Sequence, residues 1–196
     1  MNMNQFNLPK PPQTFSALEK KCEEIGFTMP SDSEVGALLR TLVASKPSGN
    51  ILELGTGIGL SLSWMADGLD QNSQLTSVDN DPKLINIVNE FFGEDSRINI
   101  ICGDGAEWIQ KHQSEKFDLI FSDAWPGKYS ELDEVLAMVK TGGFYIIDDM
   151  KPHPNWPEGH AEKAANLMQK LESLPNFVIT QMDWSTGVVV ATKTKV

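Results

Sequence analysis

The chain is poor in the residues that build redox and thiolate-metal centres. Its 196 residues hold two cysteines and three histidines. Cys22 and Cys102 lie far apart, and no CxxC or His/Cys cluster occurs, which argues against a zinc or dithiol site and fits a reducing compartment. Basic residues are also scarce: 16 Lys and Arg stand against 27 Asp and Glu, a formal net charge of −11. Gripping nucleic acid or an anionic membrane needs basic patches that displace counterions, so neither partner is expected. Much of the acid excess reads as a solvated surface. No stretch approaches the roughly 18 apolar residues of a membrane span, and the first residues lack the apolar core of a signal peptide, so the expected location is cytoplasmic. A small molecule remains as the expected partner, and a homodimer is compatible with the sequence.

What the chain does have is enough apolar residue, 40%, for one well-buried core. The reading is an arm over residues 1–13, rich in Asn and Pro, followed by one domain over 14–196. The most informative stretch is Ile51-Leu52-Glu53-Leu54-Gly55-Thr56-Gly57-Ile58-Gly59-Leu60-Ser61. A buried apolar strand enters a turn with glycines at alternate positions and then a helix. Glycine tolerates positive φ and close backbone approach, and a helix start offers unpaired N–H donors, so the turn marks a nucleotide-type cofactor site. The spacing is G-x-G-x-G, not the G-x-G-x-x-G of dinucleotide folds, and Glu53 precedes the turn. A carboxylate there suits a ligand with an amino group and a sulfonium charge better than a pyrophosphate, which disfavours an NAD-dependent oxidoreductase.

Around this turn the periodicity alternates. Two helical patterns come first, about 14–26 and 31–45, the second opening with Ser31 and Glu34 in capping-box spacing. Strand-like runs over 50–54, 74–78, 98–102, 117–122 and 143–147 then alternate with helical patterns over 60–69, 82–92, 105–112 and 130–139. That order predicts an α/β fold with a doubly wound, Rossmann-like, mostly parallel sheet. A long helix over 159–174 and two last strands, 177–182 and 188–192, complete seven strands with a C-terminal antiparallel hairpin.

Ligands of such sheets sit beyond the carboxyl ends of the strands. Those ends carry Glu53, Asp79, Asp104, Asp123 and the pair Asp148-Asp149. Asp79, 24 residues after Gly55, is placed to accept ribose hydroxyls, or else to cap the helix before Pro82. Asp104, with Glu107 three residues on, reads equally as a helix cap and as an adenine-side contact. Trp64 and Trp108 lie on helical patterns and read as core.

Glu53-Leu54-Gly55-Thr56-Gly57-Ile58-Gly59 with Asp79 resembles motif I and the acidic residue of class I S-adenosylmethionine-dependent methyltransferases. The segments Phe117–Trp125 and Tyr145–Asp149 resemble the catechol and caffeoyl-CoA O-methyltransferase branch. The resemblance runs from about residue 30 to the last hairpin. It implies that Glu53, Gly55, Thr56, Gly57, Gly59 and Ser61 line the methionine and ribose end of S-adenosylmethionine. It also implies that Asp79 and Asn80 hold the ribose, that Asp104, Gly105 and Ala106 border adenine, and that Asp123 reaches the cofactor as well. Asp123, Asp148 and Asp149 would be ligands of a divalent metal, Mg²⁺ by preference, and the reaction would be methyl transfer to a hydroxyl of a small, catechol-like acceptor.

Independently of that resemblance, converging carboxylates call for a cation, and a hard divalent ion prefers oxygen ligands. The alternative is that Asp148 alone faces the site, since neighbouring side chains on a regular strand point oppositely. The sequence also departs from the family. Asp149 stands where Asn is usual, and the typical catalytic lysine, three residues after the fourth-strand Asp, falls on Pro126. Lys128 is two residues beyond it, as a displaced base, a substrate contact or a helix-start residue. His153, or His160, is the other candidate proton acceptor. Prolines stiffen the loop 151–160, where Trp156 can wall a pocket or fill the core, and Trp125 can pack beside adenine or acceptor. A metal-independent methyltransferase and a noncatalytic S-adenosylmethionine-binding module stay open as alternatives.

Overall fold

The structure, a computed structural model, describes residues 10–152 and 156–195. Two helices, α1 (Phe15–Ile25) and α2 (Ser33–Ala44), precede the alternating part. This runs β1 (Asn50–Leu54), α3 (Leu60–Gly68), β2 (Gln74–Asp79), α4 (Pro82–Phe92), β3 (Ile98–Cys102), α5 (Gly105–His112), β4 (Phe117–Ser122), α6 (Leu132–Met138) and β5 (Val139–Ile147). Helix α7 (His160–Glu172) leads to β6 (Phe177–Met182) and β7 (Val188–Lys193). The seven-stranded sheet has the order β3-β2-β1-β4-β5-β7-β6. The first five strands pair in parallel, and β7 inserts antiparallel between β5 and β6. The doubly wound expectation therefore holds. Strand order reverses between β1 and β4, which opens a crevice at their carboxyl ends.

Alternation along the strands divides the core between two faces. Ile51, Leu119, Phe121 and Ile146 pack with α1 to α4, while Leu52, Leu54, Ile120, Tyr145 and Ile147 pack with α5 to α7. Period-2 side chains on a sheet covered on both sides require this near-continuous apolar composition. Trp64 and Trp108 are buried as predicted, one in each cluster. Gly36 on α2 lets the Trp64 ring approach so closely that a Cβ there would lie 2.2 Å from it. This contact locks α2 against α3.

The boundaries differ where polar groups have other partners. Helix α2 starts at Ser33, its cap residue is Asp32, and no side chain caps it, so the Ser31/Glu34 capping box does not form. The Asp32 carboxylate instead accepts from the Ser185 hydroxyl in the β6–β7 turn. Helix α6 is shorter than the pattern suggested because Glu131 takes φ 50° ahead of it and β5 begins directly after Met138. Among the described residues no helix is long and apolar enough to cross a membrane.

Candidate active site

The glycine turn behaves as its composition requires. Gly55, Gly57 and Gly59 have φ of 98°, 53° and 91°, in the left-handed region that glycine enters without steric cost. At Gly55 space is also limiting, since a Cβ would lie 2.8 Å from the Asp123 carbonyl oxygen. The β1 turn and the end of β4 thus touch backbone to backbone. Gly59 faces away from the crevice, toward Val88 and Phe92 of α4.

Asp79, at the end of β2, accepts from the Gly57 N–H at 2.8 Å and the Asp81 N–H at 2.9 Å, one on each carboxylate oxygen. A carboxylate has about four lone-pair sites, so Asp79 keeps capacity for two hydroxyl donors. Capping of α4 falls to Asp81, whose side chain accepts from the Lys83 N–H. Asp104 caps α5 through the Glu107 N–H at 2.9 Å, and it also lines a cleft of 230 Å³ with Gly55, Asp79, Asn80, Gly105 and Trp125. Ala106 does not line this cleft. The cleft continues past Gly55, Asp79, Asn80 and Ala124 into a groove of 360 Å³ walled by Thr56, Gly57, Phe27, Met29, Leu84, Asp123 and Asp149.

Glu53 and Ser61 lie behind this groove. The Glu53 side chain is fully buried and accepts from the Ser61 hydroxyl at 2.5 Å and from the Ser77 hydroxyl. Ser77 is its register partner on β2 and in turn contacts the Thr56 hydroxyl at 2.6 Å. Burial pushes the Glu53 carboxyl up to about 8, against the lowering effect of the two serine bonds. Glu53 therefore braces the turn from within, and at neutral pH it holds its proton more often than not. Ser77 was not singled out by the sequence reading. Its signal was a polar residue at an inward position beside a buried acid.

Beyond the groove lies a second cavity of 390 Å³, lined by Thr28, Met29, Pro30, Ser31, Asp32, Asp123, Asp148, Asp149, Trp156 and Thr186. It shares Met29, Pro30, Ser31, Asp123 and Asp149 with the groove, so the two communicate. The strand-geometry objection to adjacent acids is answered here. Strand β5 ends at Ile147 and Asp149 has φ 54°, which turns the chain so that both acids line the same cavity. A β-carbon residue in that conformation is strained, and such strain tends to be kept at functional sites. The turn of the β6–β7 hairpin holds the segment in place: Met150 N–H donates to Gly187 O and Lys151 N–H to Thr186 O, both at 2.9 Å. The Thr186 hydroxyl donates to Asp148. Thr186, Met29 and Pro30 were not found from sequence, because only tertiary folding brings them here.

The acids are shaped by burial. Burial raises the Asp123 carboxyl well above the usual carboxylate range, opposed by the Lys128 charge and reinforced by Asp148, Asp149 and Glu53. Burial likewise pushes Asp148 up to about 6. Lys128 is 5% exposed, and its ammonium donates to the Asp148 main-chain carbonyl at 2.5 Å. It lines neither the groove nor the acid-lined cavity. His153 lies outside the described residues. His160 Nε2 is 3.1 Å from the Tyr129 hydroxyl, and its ring packs on Trp156 at 4.6 Å. Burial, then Lys128 and Lys163, lower its pKa.

The divalent ion implied by the resemblance does not fit the donors as they stand. One oxygen of Asp148 is already used by Thr186 and by the Asp149 N–H, and an ammonium sits beside the set. Among the described residues no three His, Cys, Asp or Glu side chains are grouped to hold a metal. A cleft of 540 Å³ between α6 and α7, which Lys128 does line, contains none of the strand-end acids.

Known proteins give the geometry a context. A protein of Mycobacterium leprae (strain Br4923), provisionally named an O-methyltransferase, is 31% identical over 137 residues, 67% of this chain and 61% of that protein. The match thus spans about three fifths of the relative's length. The crystal structure of an O-methyltransferase from Bacillus cereus in complex with SAH superposes with a TM-score of 0.81 at 20% identity, covering 96% of this chain and 94% of that one. TomG, an O-methyltransferase of Streptomyces achromogenes involved in tomaymycin synthesis and solved with SAM, gives 0.83 at 18% identity, covering 96% and 92%. At such identity these structures establish the shared fold. The profile of the O-methyltransferase family matches residues 15–192, and with nearly the whole described chain inside that match, the protein belongs to the O-methyltransferase family.

Proposed function

We propose that the chain binds S-adenosylmethionine in the groove and transfers its methyl group to a hydroxyl of a small acceptor held in the adjoining acid-lined cavity. The observation that carries this reading is the continuity of the two spaces through Asp123 and Asp149. The adenine end would lie in the cleft at Asp104, Gly105 and Trp125, the ribose on Asp79 and Asn80, and the methionine end along Gly55, Thr56 and Gly57 with Glu53 and Ser61 bracing the turn. A sulfonium near Asp123 would favour the ionised form of a carboxyl whose burial otherwise favours the protonated one, and the pair would attract each other.

In the transfer, the acceptor oxygen forms a bond to the methyl carbon as the carbon–sulfur bond breaks, and the hydroxyl proton passes to a carboxylate of the Asp123, Asp148 and Asp149 set. Asp148, pushed up to about 6, has a proton affinity near that of an efficient base at neutral pH. Two vicinal hydroxyls, as in a catechol, would find several carboxylate acceptors at once, and Trp156 would supply a flat apolar wall. Most of the rate gain would come from holding oxygen, methyl and sulfur in line. No step is routed through a metal.

The experiment is a thermal shift followed by turnover. S-adenosylhomocysteine is expected to raise Tm and NAD to leave it unchanged, because a ligand of the folded state stabilises by mass action. Labelled methyl from S-adenosylmethionine should then appear on a hydroxyl acceptor from a panel of catechols and simple phenols. A shift with NAD alone overturns the cofactor assignment. Binding without turnover across the panel favours the noncatalytic module.

A further inference from the structure

Resting on the methyltransferase reading, we infer that Lys128 is a built-in cation for the acceptor site: a positioning residue whose ammonium does the charge compensation that a divalent metal would otherwise supply. The first observation is its placement. A buried ammonium carries a desolvation cost of several kcal/mol unless paired. Lys128 meets that cost by donating to the Asp148 carbonyl at 2.5 Å, and its charge favours the ionised forms of both Asp123 and Asp148.

The second observation is how firmly the backbone fixes that placement. Gly127 has φ 86°, and a Cβ there would lie 2.4 Å from Leu54 Cδ1 and 2.6 Å from Ser122 Oγ. Its carbonyl accepts from the buried Tyr145 hydroxyl at 2.6 Å, and its N–H donates to Ser130 O at 2.8 Å. The turn 125–130 is therefore seated tightly against β1, β4 and β5, and it delivers the lysine from behind the acids rather than from the acceptor side. The two-residue displacement of Lys128 noted in the sequence thereby acquires a physical meaning. The Pro126-Gly127 turn swings the ammonium onto the carbonyl that follows β5.

The third observation concerns what is left for a metal. A divalent ion placed among Asp123, Asp148 and Asp149 would meet a fixed like charge, and one oxygen of Asp148 is committed to Thr186 and the Asp149 N–H. In the transfer Lys128 is not the proton acceptor. It leaves the acceptor proton to the carboxylates and holds the Asp148-Asp149 segment at the cavity wall.

The test is Mn²⁺ titration of the full chain, read by electron paramagnetic resonance, for wild type, Lys128→Met and Lys128→Arg, with EDTA sensitivity of turnover alongside. Wild type and Lys128→Arg are expected to show no saturable Mn²⁺ site in the micromolar range and no loss of turnover with EDTA. Lys128→Met, freed of the like charge, is expected to bind Mn²⁺ at least about tenfold more tightly than wild type, a difference of about 1.4 kcal/mol. A saturable micromolar site in wild type with turnover lost on chelation overturns the inference. So does a folded Lys128→Met that gains no Mn²⁺ affinity. If Lys128→Met fails to fold, the wild-type and Lys128→Arg titrations still decide. Because Mn²⁺ binding needs neither cofactor nor acceptor, failure of the methyltransferase reading would appear separately, as absence of stabilisation by S-adenosylhomocysteine.

Discussion

The groove proposed for the cofactor and the cavity proposed for the acceptor adjoin, yet they are built differently. The floor of the groove comes from the glycine turn after β1 and the ends of β2 and β4, and its acids are held within that turn and the adjoining strands: Asp79 by two backbone N–H groups, Glu53 by two serines. The second cavity is assembled from Thr28 to Thr186, and Asp148 is held there by the Lys128 ammonium at its carbonyl and by the Thr186 hydroxyl of the β6–β7 turn. The lesson is that the glycine turn is written in short-range pattern, whereas the walls of the second cavity depend on tertiary contacts that can change without touching that turn.

The sharpest break between the two halves is Asp123→Ala. Removing the carboxylate at their junction is expected to lower turnover about 1,000-fold, within the usual range for a lost proton acceptor, while S-adenosylhomocysteine still raises Tm. Loss of both together would show that the halves are one unit. Asp79→Ala is the converse. Loss of charge-assisted bonds to the ribose and to Gly57 should weaken S-adenosylhomocysteine about 100-fold, near 2.7 kcal/mol, in calorimetric titration; an unchanged Kd would remove Asp79 from the cofactor site. Thr186→Val should act on the acceptor half alone, lowering kcat about fivefold through a loosened Asp148, worth about 1 kcal/mol, with cofactor affinity intact.

The last effect is on stability alone, and it is a slope. Glu53 has its folded pKa raised, from 4.5 to about 8, so the folded state binds the extra proton. Its contribution to stability is greatest below the unfolded value and is lost as pH rises from about 4.5 to about 8. Tm should decline over that window, and Glu53→Gln should flatten the decline. An unaltered slope would mean that Glu53 does not titrate as its burial implies.

The same contrast explains what was legible. The sheet, its strand limits at β1 to β4 and the positive φ of three glycines followed from periodicity and residue chemistry, because each is decided within a few residues. The Ser31/Glu34 cap failed because Asp32 is held by Ser185, 153 residues away, and no local pattern carries that bond. Glu53 was expected to line the cofactor, but it turns inward and lies behind the groove, an orientation that depends on Ser77 across the strand pair. The pairing of Asp148 and Asp149 in one cavity depended on a left-handed residue that composition does not announce. Lys128 was noticed for its displaced register, and its direction came only from the packing of Gly127.

The hairpin turn at Ser185-Thr186-Gly187 touches the start of α2, the end of β5 and the loop beyond it. It therefore sets an order of failure. Were the turn pulled away, Asp148 would lose its threonine and Asp32 its serine, while the glycine turn kept the bonds it makes with β2. The protein would then go on capturing its methyl donor after it had stopped delivering the methyl group.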